Sequence, residues 1–369
     1  MADSQAVARY LALVSGRRRG AGADVLRGLL RAASLLYRAV MAARRGYYRL
    51  AARRVAIPVI SVGNLTVGGT GKTPLVALVA RRLAALGHRP VIVSRGYRRA
   101  AGQDAGDETS DLRRLLPASV RQIEARDRYV ALARAIRSEP HDVAVLDDGF
   151  QHLRLWRNLD LVTVDATQPF GYGYCLPRGL LREPVSALRR AGAVVLTRCD
   201  QAAPEGLADV ERRVRAHLRP GAAVLHAVHR PTRLLVADGT SAPLESIRGR
   251  PCFAFCGLGN PEAFHRTLAD LGAVAAGRRD FDDHHAYTAA DAAAIAEAAR
   301  AAAAEWIVTT TKDFTKAAAQ ELREHWPAGL PLAAVEVDMV LAEGDQALDA
   351  LLRPLVGAAE QGDQKREEP

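Results

Sequence analysis

A chain of 369 residues, 49 % of them hydrophobic, is long enough for one large or two medium domains with buried cores. Its four cysteines, Cys175, Cys199, Cys252 and Cys256, form no C-x-x-C pair, so spacing argues against a zinc or disulfide framework; Cys252 and Cys256, in PCFAFC, read as strand packing in a reducing compartment. No segment reaches the roughly 20 apolar residues of a spanning helix, and no basic region followed by an apolar stretch marks a signal peptide. The net charge of +10 is local: residues 17–54 hold eleven arginines against the single acid Asp24, and the remaining chain sums to about zero.

That basic segment comes first in the chain. In DVLRGLLRAASLLYRAVMAARRGYYRL the apolar residues Val25, Leu26, Leu29, Leu30, Ala33, Leu36, Tyr37, Val40 and Met41 recur at helical spacing, which puts them on one face, with Arg27, Arg31, Arg38 and Arg45 away from it. Arg17, Arg18 and Arg19 precede the stripe, and Tyr47 and Tyr48 follow it. Such a helix either lies in a bilayer interface with its arginines on anionic headgroups or packs against its own domain. Nucleic acid is not expected as a partner, since no recognised binding module accompanies the charge.

IPVISVGN (57–64) is a buried-strand run that enters a glycine loop, and KTPLVALVARRLAALG continues as a helix stopped by Gly87. RPVIVSRGY (89–97) reads as a strand, RRAAGQDAGDETSDL as a polar loop and RDRYVALARAIRSEP as a helix. HDVAVLDD (141–148) and LDLVTVD (159–165) are strands, PFGYGYCLPRGLLREP is a Gly/Pro-rich excursion, GAVVLTRCD is a strand, and a polar helix near 205–217 leads to the strand AAVLHAVH. This alternation predicts an α/β fold with a doubly wound, mostly parallel sheet. PTRLLVADGTSAPLESI (231–247) predicts a hairpin turning at Asp238-Gly239. The expected division is a basic helical segment at 1–54, a phosphate-loop core at 55–230, a hairpin linker at 231–250, a smaller α/β domain at 251–356 and a disordered tail at 357–369.

SVGNLTVGGTGKTP (61–74) has the strand-before, helix-after setting of a phosphate loop. Gly68, Gly69 and Gly71 let backbone N–H groups converge on phosphate oxygens, and the helix N-terminus adds partial positive charge. Lys72 would reach the β and γ phosphates, and Thr73 would place its hydroxyl on Mg²⁺. Thr66, Val67 and Thr70 complete the loop; Thr66 stands where the usual loop has its first glycine. VAVLDDGFQH is the natural partner, because an apolar strand ending in Asp147 and Asp148 brings a carboxylate to the sheet edge where metal and phosphates sit. Asn64, Arg95 and Arg126 are candidate substrate or phosphate contacts, the arginines by their fork geometry.

The ordered set SVGNLTVGGTGKTP, VIVSRGYRR, GDE, DDGFQHLRLWRNLDLVTVD, LPRGLLREP, FCGLGNPEAF, FDDHHAYT and TTTKD resembles the tetraacyldisaccharide 4′-kinase family, the lipid A 4′-kinases. The resemblance runs from about residue 57 to 313. It implies transfer of the γ-phosphoryl group of ATP, with Mg²⁺, to the 4′-hydroxyl of an acylated glucosamine disaccharide 1-phosphate in lipid A biosynthesis. It also implies a peripheral place on the cytoplasmic face of the bacterial inner membrane, with the segment 17–54 on lipid and no obligate protein partner. Asp107 of GDE matches the family's catalytic aspartate and His284 of FDDHH its histidine partner, which predicts that the two domains must close for catalysis. Thr109 follows GDE where the family usually has proline, and the spacer before GDE is short, so Asp104 and Asp111 are alternative positions for the base. His285 is the alternative to His284. The competing class is a nucleotide switch or metallochaperone-type NTPase, but Val67 occupies the position of that class's signature lysine.

Overall fold

A computed structural model describes residues 2–95, 112–113, 115–117, 119–258, 261–282, 285–317, 326 and 329–364. The chain forms two compact units, one from Met1–Val228 with Met339–Pro369 and one from His229–Asp338. Two long strands, β7 (Ala223–Val236) and β12 (Leu332–Glu343), run on from one unit into the other along the chain.

In the larger unit the order is β7, β6 (Ala193–Thr197), β5 (Leu159–Asp165), β1 (Val59–Asn64), β4 (Val143–Asp147), β2 (Pro90–Ser94), β3 (Arg121–Glu124), and every pairing among these is parallel. The central strands are buried along their whole length, as a sheet covered on both faces requires. Alternation distributes their side chains. Ile60, Val62, Val145 and Leu161 pack against Leu75, Val76, Val79 and Leu83 of α3 (Lys72–Ala85). Val59, Val91 and Leu146 pack instead against Leu132 of α4 (Arg128–Ser138). Val162, Val194 and Leu196 meet Val210 and Val214 of α5 (Pro204–Arg215). Because the strands are parallel, the C-terminal ends of β1, β4, β5 and β6 share one edge, and the chain departs from β1 in the middle of the sheet, where open α/β sheets bind ligands.

The smaller unit holds a second parallel set in the order β10 (Val274–Asp280), β9 (Pro251–Cys256), β11 (Trp306–Thr310), β12. Phe264 and Leu268 of α6 (Pro261–Asp270) pack on one face with Cys252, Ala254 and Val308. Ile295 and Ala299 of α7 (Ala289–Ala301) pack on the other with Phe253, Phe255 and Ile307. The predicted hairpin is present: β7 pairs antiparallel with β8 (Ser241–Ala242) around a turn in which Asp238 Oδ1 accepts from the Thr240 amide at 2.8 Å. The expected boundaries change at the C-terminus. Residues 339–364 belong with the larger unit, because Leu348 and Leu352 of α8 (Asp345–Gln364) enter the core cluster of α3. The tail expected to be disordered from residue 357 is helical as far as Gln364.

The N-terminal segment forms two helices, α1 (Ala2–Val14) and α2 (Ala21–Ala51). The single apolar face expected of α2 is in fact two faces. Ala23, Ser34 and Met41 are buried and Leu30 and Tyr37 half-buried, and that side is bonded to the sheet unit: Ser34 Oγ donates to the Cys175 carbonyl at 2.7 Å and Tyr37 Oη to the Arg182 carbonyl at 2.9 Å. Val25, Leu29, Leu36 and Val40 fall on the opposite side and are 65, 64, 69 and 57 % exposed. Among the described residues, no helix is long and apolar enough to cross a membrane.

Candidate active site

The glycine loop is shaped from both ends. Asn64 closes β1 fully buried, and its Nδ2 donates to the Thr66 carbonyl at 2.8 Å, so this residue turns the chain into the loop. The segment 180–182 then straps the loop's first half: the Arg182 amide donates to the Leu65 carbonyl at 2.7 Å and the Val67 amide to the Leu180 carbonyl at 2.8 Å. Thr66 pairs with Leu181 as an isolated bridge, a role that uses backbone rather than the absent Cβ of a glycine. Gly71 has φ 80°, and a Cβ there would lie 3.0 Å from Met339 Cε and 3.3 Å from Thr197 Cγ2, so both conformation and packing select glycine. Among the described residues, an added Cβ at Gly68 or Gly69 would meet nothing within 4 Å. The loop is thus packed on one side and open on the other. Lys72 and Thr73 open α3 behind it, where the first turn leaves amides without helical partners.

Charged groups from four segments meet beside this loop. Asp147 ends β4 in register with Val62 of β1, and Asp148 follows in a left-handed conformation, φ 49°. Lys72 Nζ lies 3.9 Å from Asp148 Oδ1. Arg182 Nη1 donates to both Asp148 oxygens, at 3.0 and 2.8 Å, and Arg128 Nη1 donates to the Asp148 carbonyl at 3.2 Å. Burial raises the Asp148 pKa, but Lys72, Arg182 and Arg128 more than offset it and hold the carboxyl below its usual range. Gln151 ties this group to the loop, donating to the Asn64 carbonyl at 2.9 Å and accepting from Arg182 at 3.3 Å. Glu183 is fully buried, and it accepts from Arg190 at 2.7 and 3.0 Å and from Arg45 of α2 at 3.2 Å. His152, burial first and four arginines after it, is pushed down to about 4 and is neutral at pH 7.

The other wall comes from β5 and β6. Thr70 Oγ1 shares a 2.7 Å hydrogen bond with Thr163 Oγ1, and Thr197 Oγ1 donates to the Thr70 carbonyl at 3.1 Å. Arg198, left-handed at φ 57°, pairs with Asp165 and donates to the Gly69 carbonyl at 3.2 Å. A guanidinium therefore stands at the mouth of the loop.

Of the residues expected at the site, Asn64, Thr66, Val67, Gly69, Thr70, Lys72 and Asp148 share this hydrogen-bonded and ionic cluster, Gly71 packs against Thr197, and Asp147 adjoins the cluster in sequence. Asp148, expected as a metal ligand, turns both oxygens to Arg182 and one to Lys72. Arg95 is exposed just after β2, and Arg126 is exposed as well, whereas Arg128 takes the buried place. Asp107, with its alternatives Asp104 and Asp111, and His284 lie outside the described residues. His285 is described in the smaller unit. Its Nε2 lies 3.1 Å from Asp291 Oδ2 and its ring stacks on Phe281 at 4.5 Å, so its side chain is occupied in local packing. Asp313 of TTTKD is buried, and its Oδ2 accepts from the Gly257 amide at 2.9 Å and from Thr310 at 2.7 Å. Arg128, Gln151, Arg182, Glu183 and Arg198 were not expected as functional. The available signal was position: Arg198, like Asp147 and Asp148, ends an apolar strand, and Arg182 and Glu183 lie in the LPRGLLREP motif.

A parallel α/β sheet with a strapped glycine loop at its central strand, a lysine at the start of the next helix and acids ending neighbouring strands defines a P-loop NTPase-like protein. Comparison with known proteins specifies which kind. Residues 26–356 match the family model described as tetraacyldisaccharide-1-P 4′-kinase. The chain is 43 % identical over 343 residues to the tetraacyldisaccharide 4′-kinase of Anaeromyxobacter dehalogenans strain 2CP-C, covering 86 % of this chain and 87 % of that one. It is 38 % identical over 347 residues to the enzyme of the same name from Geobacter sulfurreducens, covering 89 % and 93 %. A crystal structure of LpxK from Aquifex aeolicus in complex with ATP superposes with a TM-score of 0.69 at 28 % identity, over 90 % of this chain and 99 % of that one. The chain belongs to the tetraacyldisaccharide 4′-kinase family.

Proposed function

We propose that this protein transfers the γ-phosphoryl group of ATP to the 4′-hydroxyl of a tetraacyldisaccharide 1-phosphate. The observation that carries the reading is the glycine loop of residues 66–73, strapped by 180–182 with its open side beside Lys72, in a chain of this family. Backbone amides of the loop and the first turn of α3 bind phosphate oxygens. The Lys72 ammonium reaches the β and γ phosphates from the side on which Asp148 faces it. Arg182 and Arg128 fix Asp148, so the lysine is oriented before nucleotide binds. Arg198 adds positive charge at the loop mouth, where charge develops on the transferring group.

The candidate donors for a divalent ion are the Thr73 hydroxyl and the carboxylates of Asp147 and Asp148, an oxygen-only set of the kind that suits Mg²⁺. Mg²⁺, when bound, would neutralise charge on the β and γ phosphates. Asp107 is assigned, by resemblance, as the group that accepts the sugar hydroxyl's proton, with His284 as its partner.

The membrane part of the proposal rests on α2. Its outward stripe of Val25, Leu29, Leu36 and Val40 lies alongside a segment with eleven arginines, the chemistry of an interfacial helix on anionic lipid. Its inward side is bonded to residues 175–183, which strap the glycine loop. An acylated anionic glycolipid would thus be met at the cytoplasmic surface of the inner membrane.

The test is incubation of purified protein with ATP, Mg²⁺ and a tetraacylated disaccharide 1-phosphate, with the lipid read by mass spectrometry. The expected result is gain of one phosphoryl group at the 4′ position. ATP hydrolysis with the lipid unchanged contradicts it and points to a nucleotide switch. Asp107→Asn is expected to lower turnover by about 10²- to 10⁴-fold while ATP still binds; a near-normal rate removes Asp107 as the base. The triple change of Leu29, Leu36 and Val40 to Ser is expected to weaken partitioning onto anionic vesicles at least about tenfold without lowering the melting temperature. Unchanged partitioning removes the stripe from the account.

A further inference from the structure

The smaller unit carries a group of side chains that phosphoryl transfer does not use. Cys256 is the last residue of β9 and Asp280 the last of β10, and the two are direct partners in the parallel register. Cross-strand partners place their side chains on the same face of the sheet. Helix α6 covers that face through Phe264 and Leu268, and it delivers His265 to the same point. His265 Nε2 lies 2.7 Å from Asp280 Oδ1, and Cys256 Sγ lies 3.7 Å from the same oxygen. The three donor atoms, a sulfur, an imidazole nitrogen and a carboxylate oxygen, all lie within 4.8 Å of one another.

We infer that Cys256, His265 and Asp280 form a binding site for a divalent transition metal of the zinc class. Thiolate, imidazole and carboxylate are the protein ligands of Zn²⁺, and three of them with one open position make a tetrahedral site that admits water. Bonds of about 2.0–2.3 Å put tetrahedral donor atoms roughly 3.4–3.6 Å apart. The sulfur–oxygen separation already matches. The His265–Asp280 pair must open by about 0.7 Å, a side-chain adjustment, as an ion replaces the proton between them. The carboxylate's second oxygen faces Arg278 Nε at 3.9 Å, and Arg278 is itself held by Glu262 at 2.9 Å, so Oδ1 is the oxygen left for the metal. His265 also borders a cavity of about 210 Å³ lined by Ala254, Leu268, Ala273 and Arg278. The sequence concealed this group because its ligands come from two strands and a helix, with spacings of nine and fifteen residues (265 − 256 and 280 − 265) instead of a C-x-x-C pair.

The experiment is titration of the full-length reduced protein with Co²⁺, followed by competition with Zn²⁺. The expected result is a thiolate-to-cobalt charge-transfer band that saturates at one Co²⁺ per chain and is displaced by Zn²⁺. The band should vanish in Cys256→Ser, persist in Cys252→Ser, and need at least tenfold more Co²⁺ in His265→Ala. Thr73 and Asp147 offer no sulfur, so metal held with the nucleotide does not produce this band. Zn²⁺ should raise the melting temperature of the native chain and not that of Cys256→Ser. No band in the native chain, or a band that survives Cys256→Ser, overturns the inference. If Cys256→Ser does not fold, an unweakened band in His265→Ala overturns it equally.

Discussion

The two units are built on the same parallel α/β scheme, yet the ends of their strands do opposite things. In the larger unit, β1 opens into a glycine loop whose outer side meets no described neighbour at Gly68 and Gly69, and β4, β5 and β6 end in Asp147, Asp165 and Thr197, with Asp148 and Arg198 next along the chain. In the smaller unit, the chain after β9 is closed by Asp313, which follows β11 and takes the Gly257 amide and the Thr310 hydroxyl. Fold alone therefore does not mark the active edge. What marks it is a strapped glycine loop with room at Gly68 and Gly69 beside side chains that are held in place by charge.

That contrast can be broken by substitution. Among the residues of that contrast the largest expected effect is at Lys72: Lys72→Ala should lower kcat/KM by about 10²- to 10³-fold with an unchanged melting temperature. A smaller loss, about 10- to 10²-fold, is expected for Arg182→Ala, because Arg182 acts through Asp148 and Lys72. It also carries a pH signature. Asp148 is held below its usual range, so its ionised form adds stability above the unfolded carboxyl pKa, and that stability is lost as pH falls through the folded value. Without Arg182 the folded pKa rises, and the acid limb of the pH–rate profile should move to higher pH. An unmoved limb assigns Arg182 to the backbone strap alone.

In the smaller unit the expectation reverses. Asp313→Ala leaves the Gly257 amide and Thr310 hydroxyl without their acceptor, and should cost about 1–3 kcal/mol of stability while the rate per folded molecule is kept. The smallest effect is at His152, which is neutral down to about pH 4. The unfolded chain takes up this proton first, near pH 6.5, so the residue's contribution to stability declines as pH falls from about 6.5 toward 4. An NMR titration of the His152 ring should show its midpoint near the lower value.

Much of this was legible in the sequence, because local chemistry determines it. The strand runs around Val59, Val143, Leu159 and Ala193, the glycine loop, Lys72 and the Asp238-Gly239 hairpin are signalled by residues adjacent in the chain. The orientation of α2 was not. Its alanine-rich sequence carries apolar residues on two sides, and helical periodicity cannot say which side packs; Ser34, Tyr37 and Arg45 decide it through hydrogen bonds to residues more than 130 positions away. The return of α8 to the first unit was hidden for the same reason, since Leu348 and Leu352 find their partners on α3. Arg128 and Arg182 look like surface arginines until folding sets them around Asp148.

The central claim is that residues 66–73, with Lys72 held by Asp148, bind the terminal phosphates of ATP. Calorimetric titration of magnesium nucleotide into the native chain and into Lys72→Ala tests it most directly. Saturable one-to-one binding by the native chain, weakened at least about tenfold in the variant at an equal melting temperature, is the predicted result. Equal affinity in both proteins, or no heat of binding in the native chain, contradicts it.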